Sequence, residues 1–112
     1  MATQRRGGEG KRDADRDMRE RFLSVLLDVS NQVLRGKGEE RHGRGREFGE
    51  QPTFKILDLV GAGYAAGQAI KKIEEARGLV EADRLNAGQN AERELLGAIG
   101  YLAMLVAWQR SR

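Results

Sequence analysis

The sequence predicts an all-α protein, a three-helix protomer that assembles into a helical-bundle homo-oligomer. Three observations carry that reading. Apolar residues recur at intervals of three and four over residues 13–34, a helix-forming run follows the single proline, Pro52, and a last run ending at Trp108 is apolar on almost every face.

Taken in order, residues 1–12 contain three glycines and four basic residues with almost nothing to bury, and read as a flexible basic tail ahead of a single helical domain over 13–112. The first helix spans about 13–34. Met18, Phe22, Val25, Val29 and Val33 form its stripe, and Leu23, Leu26 and Leu27 widen it. Asp13, Asp15 and Asp17 suit the positive end of its dipole, and Arg35-Gly36 suits its stop. A Gly/Arg-rich loop occupies 35–51. Pro52 then fits the first turn of a second helix over about 53–77, where Gly63 and Gly67, with Ala62, Ala66 and Ala69, offer small residues for a close helix crossing. A polar connection over 78–89 leads to the last helix, about 90–109, with Asn90 as its cap. Leu95, Leu96, Ile99, Tyr101, Leu102, Met104, Leu105, Val106 and Trp108 leave that helix almost no polar face. A helix of this kind is buried on all sides, which one small protomer can hardly achieve, so homo-oligomerisation is expected.

Composition narrows the function. The net charge is +3, from 20 basic and 17 acidic residues, whereas a dedicated DNA binder carries a larger or more segregated excess. Without cysteine there is no disulfide, thiolate nucleophile or cysteine-held metal. Met1 leads into a polar run with no signal-peptide core, and the apolar block Leu95–Trp108 is shorter than the roughly 20 residues of a membrane span. These features predict a cytoplasmic protein with no membrane partner.

The segment from Arg35 to Gln51 is the most informative. It holds five glycines, which can expose backbone N–H groups, and five basic residues, which can meet anionic oxygens. Four glutamates reduce its net charge to about +1. The chain's one histidine, His42, lies here and could touch a phosphate or ribose, although a solvated loop histidine needs no partner. No signature ties Ser24, Ser30, Thr53 or Ser111 to it as a nucleophile, and a lone histidine builds no metal cluster within one chain. Among the carboxylates, Glu74 and Glu75 diverge around one helix and Glu92 and Glu94 diverge around another, so no magnesium pair is evident; they read as dipole and solvent charges.

Phe54–Val60 followed by Gly61-Ala62-Gly63-Tyr64-Ala65-Ala66 matches a dinucleotide fingerprint, with Glu81 and Asp83 at the spacing of a ribose-binding acid. The surrounding chain supplies no further clear strand for a Rossmann crevice, so the preferred reading is a helix carrying small residues at a close crossing.

Arg41-His42-Gly43, then Phe48-Gly49, then Lys71-Lys72-Ile73 with Arg77, then Glu92 through Met104, resemble small phage and prophage helical proteins described as nucleotide-modification-associated domains. The pattern covers roughly residues 35–107 and is more distantly similar to all-α nucleotide pyrophosphohydrolases of the MazG type. Gly97 and Ala98 stand where those families place an aspartate of the last helix. The resemblance therefore implies nucleotide binding, and no catalytic residue or cofactor carries over. Small phage proteins of this kind often act by binding, as sponges for signalling nucleotides or as inhibitors of host enzymes.

The expectation is a non-catalytic, anti-defence type of protein that binds a nucleotide or other phosphate-bearing small molecule. Arg35, Lys37, Arg41, His42, Arg44 and Arg46 would meet the phosphates, Lys71 and Lys72 would form a second wall, and Phe48 or Tyr64 would stack on a base. The alternatives are a metal-dependent nucleotide pyrophosphohydrolase, a nucleic-acid-binding accessory protein, and an inhibitor that binds a host defence enzyme or nuclease.

Overall fold

The computed structural model describes residues 7–34, 47–82 and 87–112. Among them there is no strand. The order is α1 (Gly7–Leu34), a single 3-10 turn (Phe48–Glu50), α2 (Pro52–Val60), α3 (Gly63–Ala82) and α4 (Ala87–Arg110). The all-α expectation holds, with four helices where three were predicted.

The extra helix arises at Gly61. The run expected to be continuous over 53–77 breaks there because Gly61 adopts φ 86°, ψ −174°, a conformation that is essentially restricted to glycine. Its N–H donates to the Leu57 carbonyl at 2.8 Å and closes α2. Upstream, Gln51 is extended, as a residue before proline must be, and Pro52 opens the helix at a position that needs no N–H donor. The dinucleotide-like glycines thus form a corner between two helices.

Breaking the run lets α2 fold back as a plug. Phe54 and Leu57 of α2, Ala65 of α3 and Trp108 of α4 form the buried cluster, with Phe48, Ala62, Tyr64, Met104 and Leu105 packed around it. Leu57 is fully enclosed. The Trp108 indole N–H donates to Asp58 Oδ1 at 2.8 Å, satisfying the one polar atom that burying the ring would otherwise strand.

α3 and α4 run antiparallel, since Tyr64 meets Tyr101 at one end while Lys72 meets Glu94 further along. Their seam is built of alanines: Ala65, Ala69 and Ala76 on α3, and Ala91 and Ala98 on α4, are all buried. Of the small residues expected at a close crossing, Ala69 takes part. Gly63 and Gly67 do not, because a Cβ at either would meet nothing within 4 Å.

α1 begins well before the expected Asp13, so residues 7–12 of the predicted tail are helical, and residues 1–6 lie outside the described part of the chain. Arg16 bonds Asp13 at 3.4 Å and Arg19 bonds Asp15 at 2.8 Å along its exposed surface. The helix rests on the rest of the protein near its C-terminal end, where Val29 and Val33 lie over Gly100 of α4. A Cβ on Gly100 would stand 3.1 Å from Val33 Cγ2 and 3.9 Å from Val29 Cγ1, so glycine is what allows the approach. Every residue from Ala14 to Ser24 is exposed. The molecule is correspondingly long, 61 × 35 × 25 Å.

The expectation that α4 is buried all round is corrected within the protomer. α3, α2 and α1 cover part of its circumference, and Leu95, Leu102 and Val106 remain 43–45% exposed. No helix among the described residues is long and apolar enough to cross a membrane.

Candidate binding cavity

A cavity of about 470 Å³ opens where α2, α3, α4 and the C-terminal end of α1 converge. Its wall combines Tyr64 and Lys72 from α3 with Arg93, Glu94, Gly97, Gly100, Tyr101 and Met104 from α4. Helical spacing explains the α4 set: residues 93, 97, 100, 101 and 104 step by three and four, so they share one side of the helix. Gly97 and Gly100 withhold side chains from that side and so admit the Lys72 stem and Val33 of α1. The Lys72 stem lies 3.4 Å from where a Cβ of Gly97 would be, running along the space that glycine leaves.

The two tyrosine rings meet edge to face, with centroids 6.3 Å apart. Burial raises the pKa of the Tyr101 hydroxyl above its ordinary 10.0, and the neighbouring Tyr64 adds to the rise, so the phenol stays protonated at neutral pH. Lys72 Nζ stands 3.1 Å from Glu94 Oε2, near enough for an ion pair although not aligned as a hydrogen bond. A hydrogen bond shared with the Glu75 carboxyl holds the Glu94 pKa below its ordinary 4.5. Burial opposes that effect, and the Lys72 ammonium reinforces it. Glu75 and Glu94 therefore meet across two helices, a pairing that comparison along single helix faces does not reveal. Among the described residues no three histidine, aspartate or glutamate side chains converge as a metal cluster.

The predicted residues divide sharply. Tyr64 and Lys72 line the cavity. Lys71 does not; it is 69% exposed on the next face of α3 and lies 4.0 Å from Glu75. Phe48 packs edge to face on Phe54, with centroids 5.1 Å apart, and belongs to the core surround. Arg35, Lys37, Arg41, His42, Arg44 and Arg46 lie outside the described residues. Both described flanks of their segment border the cavity, however: Gln32 and Val33 before it, and Gln51, Pro52 and Thr53 after it. Gln51 is buried, and its backbone carbonyl accepts the Phe54 N–H at 3.0 Å, fixing where the chain re-enters the fold.

Sequence reasoning missed Arg93, Glu94 and Tyr101 as wall residues. A signal was present: Gly97, Gly100 and Tyr101 interrupt the aliphatic run of α4, and with Arg93 and Glu94 just ahead of it they fall on one side of the helix.

Compared with family models, with curated proteins and with solved structures, the chain finds no match in any of the three.

Proposed function

We propose that the protein binds a phosphate-bearing nucleotide in this cavity and holds it without turning it over, working as a homo-oligomer. The observation that carries the reading is that both flanks of the Gly/Arg-rich segment border the same cavity as Tyr64, Tyr101 and Lys72. Along the chain, Arg35 and Arg46 lie two and five residues from the cavity-lining Val33 and Gln51, and Arg41 and Arg44 lie within eight. The volume lies within the roughly 300–1,000 Å³ of small-molecule sites. Tyrosine rings give a base an apolar surface, worth about 1–3 kcal/mol per stacked base, while Lys72, Arg93 and the backbone N–H groups of a glycine-rich segment suit phosphate oxygens.

Retention without hydrolysis is supported by the state of the cavity carboxylate. Glu94 already has the Lys72 ammonium group 3.1 Å away, which would compete with a divalent cation for that carboxylate. Sequestration is the use that suits a binder of this kind.

Isothermal titration of the purified protein with a panel of ribo- and deoxyribonucleoside mono-, di- and triphosphates tests the proposal, with pyrophosphate release measured in parallel in the presence of magnesium. Saturable binding is expected without release. Tyr101→Ala should weaken it about tenfold or more, and Arg41→Ala with Arg44→Ala should weaken it further. Absence of binding across the panel, or affinity unchanged in both variants, would overturn the reading. Release of pyrophosphate that Glu94→Gln abolishes would replace it with the hydrolase alternative.

A further inference from the structure

Lys72 has two claims on its charge. It stands in the cavity wall, where an ammonium suits a phosphate oxygen, and its Nζ already lies 3.1 Å from Glu94 Oε2. The pairs Arg16–Asp13, Arg19–Asp15, Lys71–Glu75, Arg77–Glu74 and Arg77–Glu81 each link positions three or four apart along one helix. Their basic side chains are 65–78% exposed. Lys72–Glu94 instead joins α3 to α4, with the two side chains 33% and 21% exposed. Water and salt screen pairs of the first kind heavily and a half-buried pair much less.

The lysine is held by its stem more firmly than by its tip. Its Cγ, Cδ and Cε lie 3.8, 3.4 and 3.5 Å from the point where a Cβ of Gly97 would stand, so α4 supports the chain as far as its last carbon. The ammonium itself meets Glu94 without hydrogen-bond alignment. An ammonium is a compact charge with three donors, and rotation about its last bonds redirects it while the stem stays in place. Its charge also acts on Tyr101, favouring the ionised hydroxyl against the effect of burial. The tip of Lys72 is therefore within electrostatic reach of both the carboxylate and the tyrosine wall.

Glu94 cannot give Lys72 up without cost. Its Oε2 is enclosed and accepts no hydrogen bond from the described residues. An enclosed carboxylate oxygen without a donor is already unfavourable, and drawing its cation away leaves a half-buried charge uncompensated. Arg93 also acts on Glu94, but less strongly than Lys72 does. Every anion that attracts Lys72 thus forfeits part of that attraction to the carboxylate it leaves behind.

We infer that Glu94 is the internal counter-ion of the anion site: it holds Lys72 when no ligand is bound, and a phosphate-type anion has to draw Lys72 away from it. Glu94 thereby lowers the affinity of the cavity for anions while keeping the charges of the wall paired. It acts through Lys72 and is a positioning residue. The inference rests on the reading that this cavity takes a phosphate-bearing ligand, and is indifferent to whether that ligand carries a base.

The experiment is isothermal titration of inorganic pyrophosphate, without magnesium, into the full chain, Glu94→Gln, Lys72→Gln and the double variant. Glutamine keeps the size of Glu94 and removes its charge, so Glu94→Gln should bind about threefold to tenfold more tightly than the wild type. A merely structural role would loosen binding instead. The gain should vanish when Lys72→Gln is already present, since the carboxylate then has no lysine to withhold. Affinity unchanged or weaker in Glu94→Gln, the same gain without Lys72, or no binding by Glu94→Gln would each overturn the inference. Urea unfolding of the same four proteins checks the pair without any ligand. Lys72→Gln should cost more stability in the wild type than in the Glu94→Gln background, and equal costs would overturn the inference as well. The two readings fail separately. Tighter pyrophosphate binding by Glu94→Gln alongside an unbound nucleotide panel would remove the nucleotide and keep the counter-ion. Nucleotide binding that ignores Glu94→Gln would do the reverse.

Discussion

Replacing Gly61 with alanine isolates the device that turns one helical run into two. A Cβ at this position would meet nothing within 4 Å, so crowding contributes nothing and the whole effect is conformational. Two responses compete. The chain can keep φ near 86° with an alanine, at about 1–3 kcal/mol for a residue held in a glycine-only region. Alternatively α2 and α3 can straighten into one helix, which removes the strain and pulls Phe54 and Leu57 out of the core. Those two side chains are 9% and 0% exposed, and re-exposing them costs roughly 1.5–3 kcal/mol each. Straightening is therefore the costlier route, and the strained corner should persist. The expected outcome is a loss of 1–3 kcal/mol in urea unfolding monitored by circular dichroism, with native ellipticity unchanged. The internal control is Gly67→Ala or Gly78→Ala. Both glycines lie inside α3 without positive φ and with open space around them, so alanine there should stabilise by about 0.5–1 kcal/mol. Equal effects at all three positions, or a Gly61→Ala protein as stable as the wild type, would refute the assignment of the corner to Gly61.

Two further outcomes follow from the described contacts. Trp108→Phe keeps most of the ring's packing and removes the 2.8 Å bond to Asp58; because Asp58 is exposed and can rehydrate, the loss should be near 1 kcal/mol, and Asp58→Asn should cost less in the Trp108→Phe protein than in the wild type when both are measured by urea unfolding. The depressed pKa of Glu94 means that its ionised form contributes stability in full above the ordinary 4.5 and loses it as the pH falls through the lower, folded-state value. Thermal unfolding between pH 6 and pH 3 should therefore show a smaller acid-induced loss in Glu94→Gln than in the wild type, and identical slopes would remove Glu94 from the account.

What could be read from the sequence follows from how local each determinant is. The stripe of α1 and the start of α2 at Pro52 depend on neighbours within a turn or two, and both were legible. The corner at Gly61 was not, because its reward is distant: Leu57 and Phe54 bury themselves only when Trp108, some fifty residues away, is present to receive them. The small residues of α3 show the same limit. Glycine spacing pointed to Gly63 and Gly67 as the crossing, yet the seam runs along Ala65, Ala69 and Ala76, and a spacing of four residues does not say which side of the helix meets a neighbour. For the cavity, Tyr64 and Lys72 were legible as aromatic and basic candidates, and both line it. Phe48 looked equivalent to Tyr64 and differs only by its position against Phe54, which is a property of the fold.

The last helix explains why an almost uniformly apolar sequence can be correct for a protein whose core is small. α4 meets three environments around its circumference. Ala91 and Ala98 are small because α3 lies against them. Gly97 and Gly100 are smaller still, because Lys72 and α1 approach there. Leu95, Leu102 and Val106 are large and apolar where the protomer provides no cover. Hydrophobicity alone treats these groups as one surface; side-chain volume separates the alanine seam and the glycine approaches from the outward leucines and valine, while the large Met104, Leu105 and Trp108 fill the core cluster. Had these outward positions needed only to be wetted, charged residues like those along the exposed face of α1 would have served. Their aliphatic character is the part of the α4 sequence that contacts within the described protomer leave unexplained.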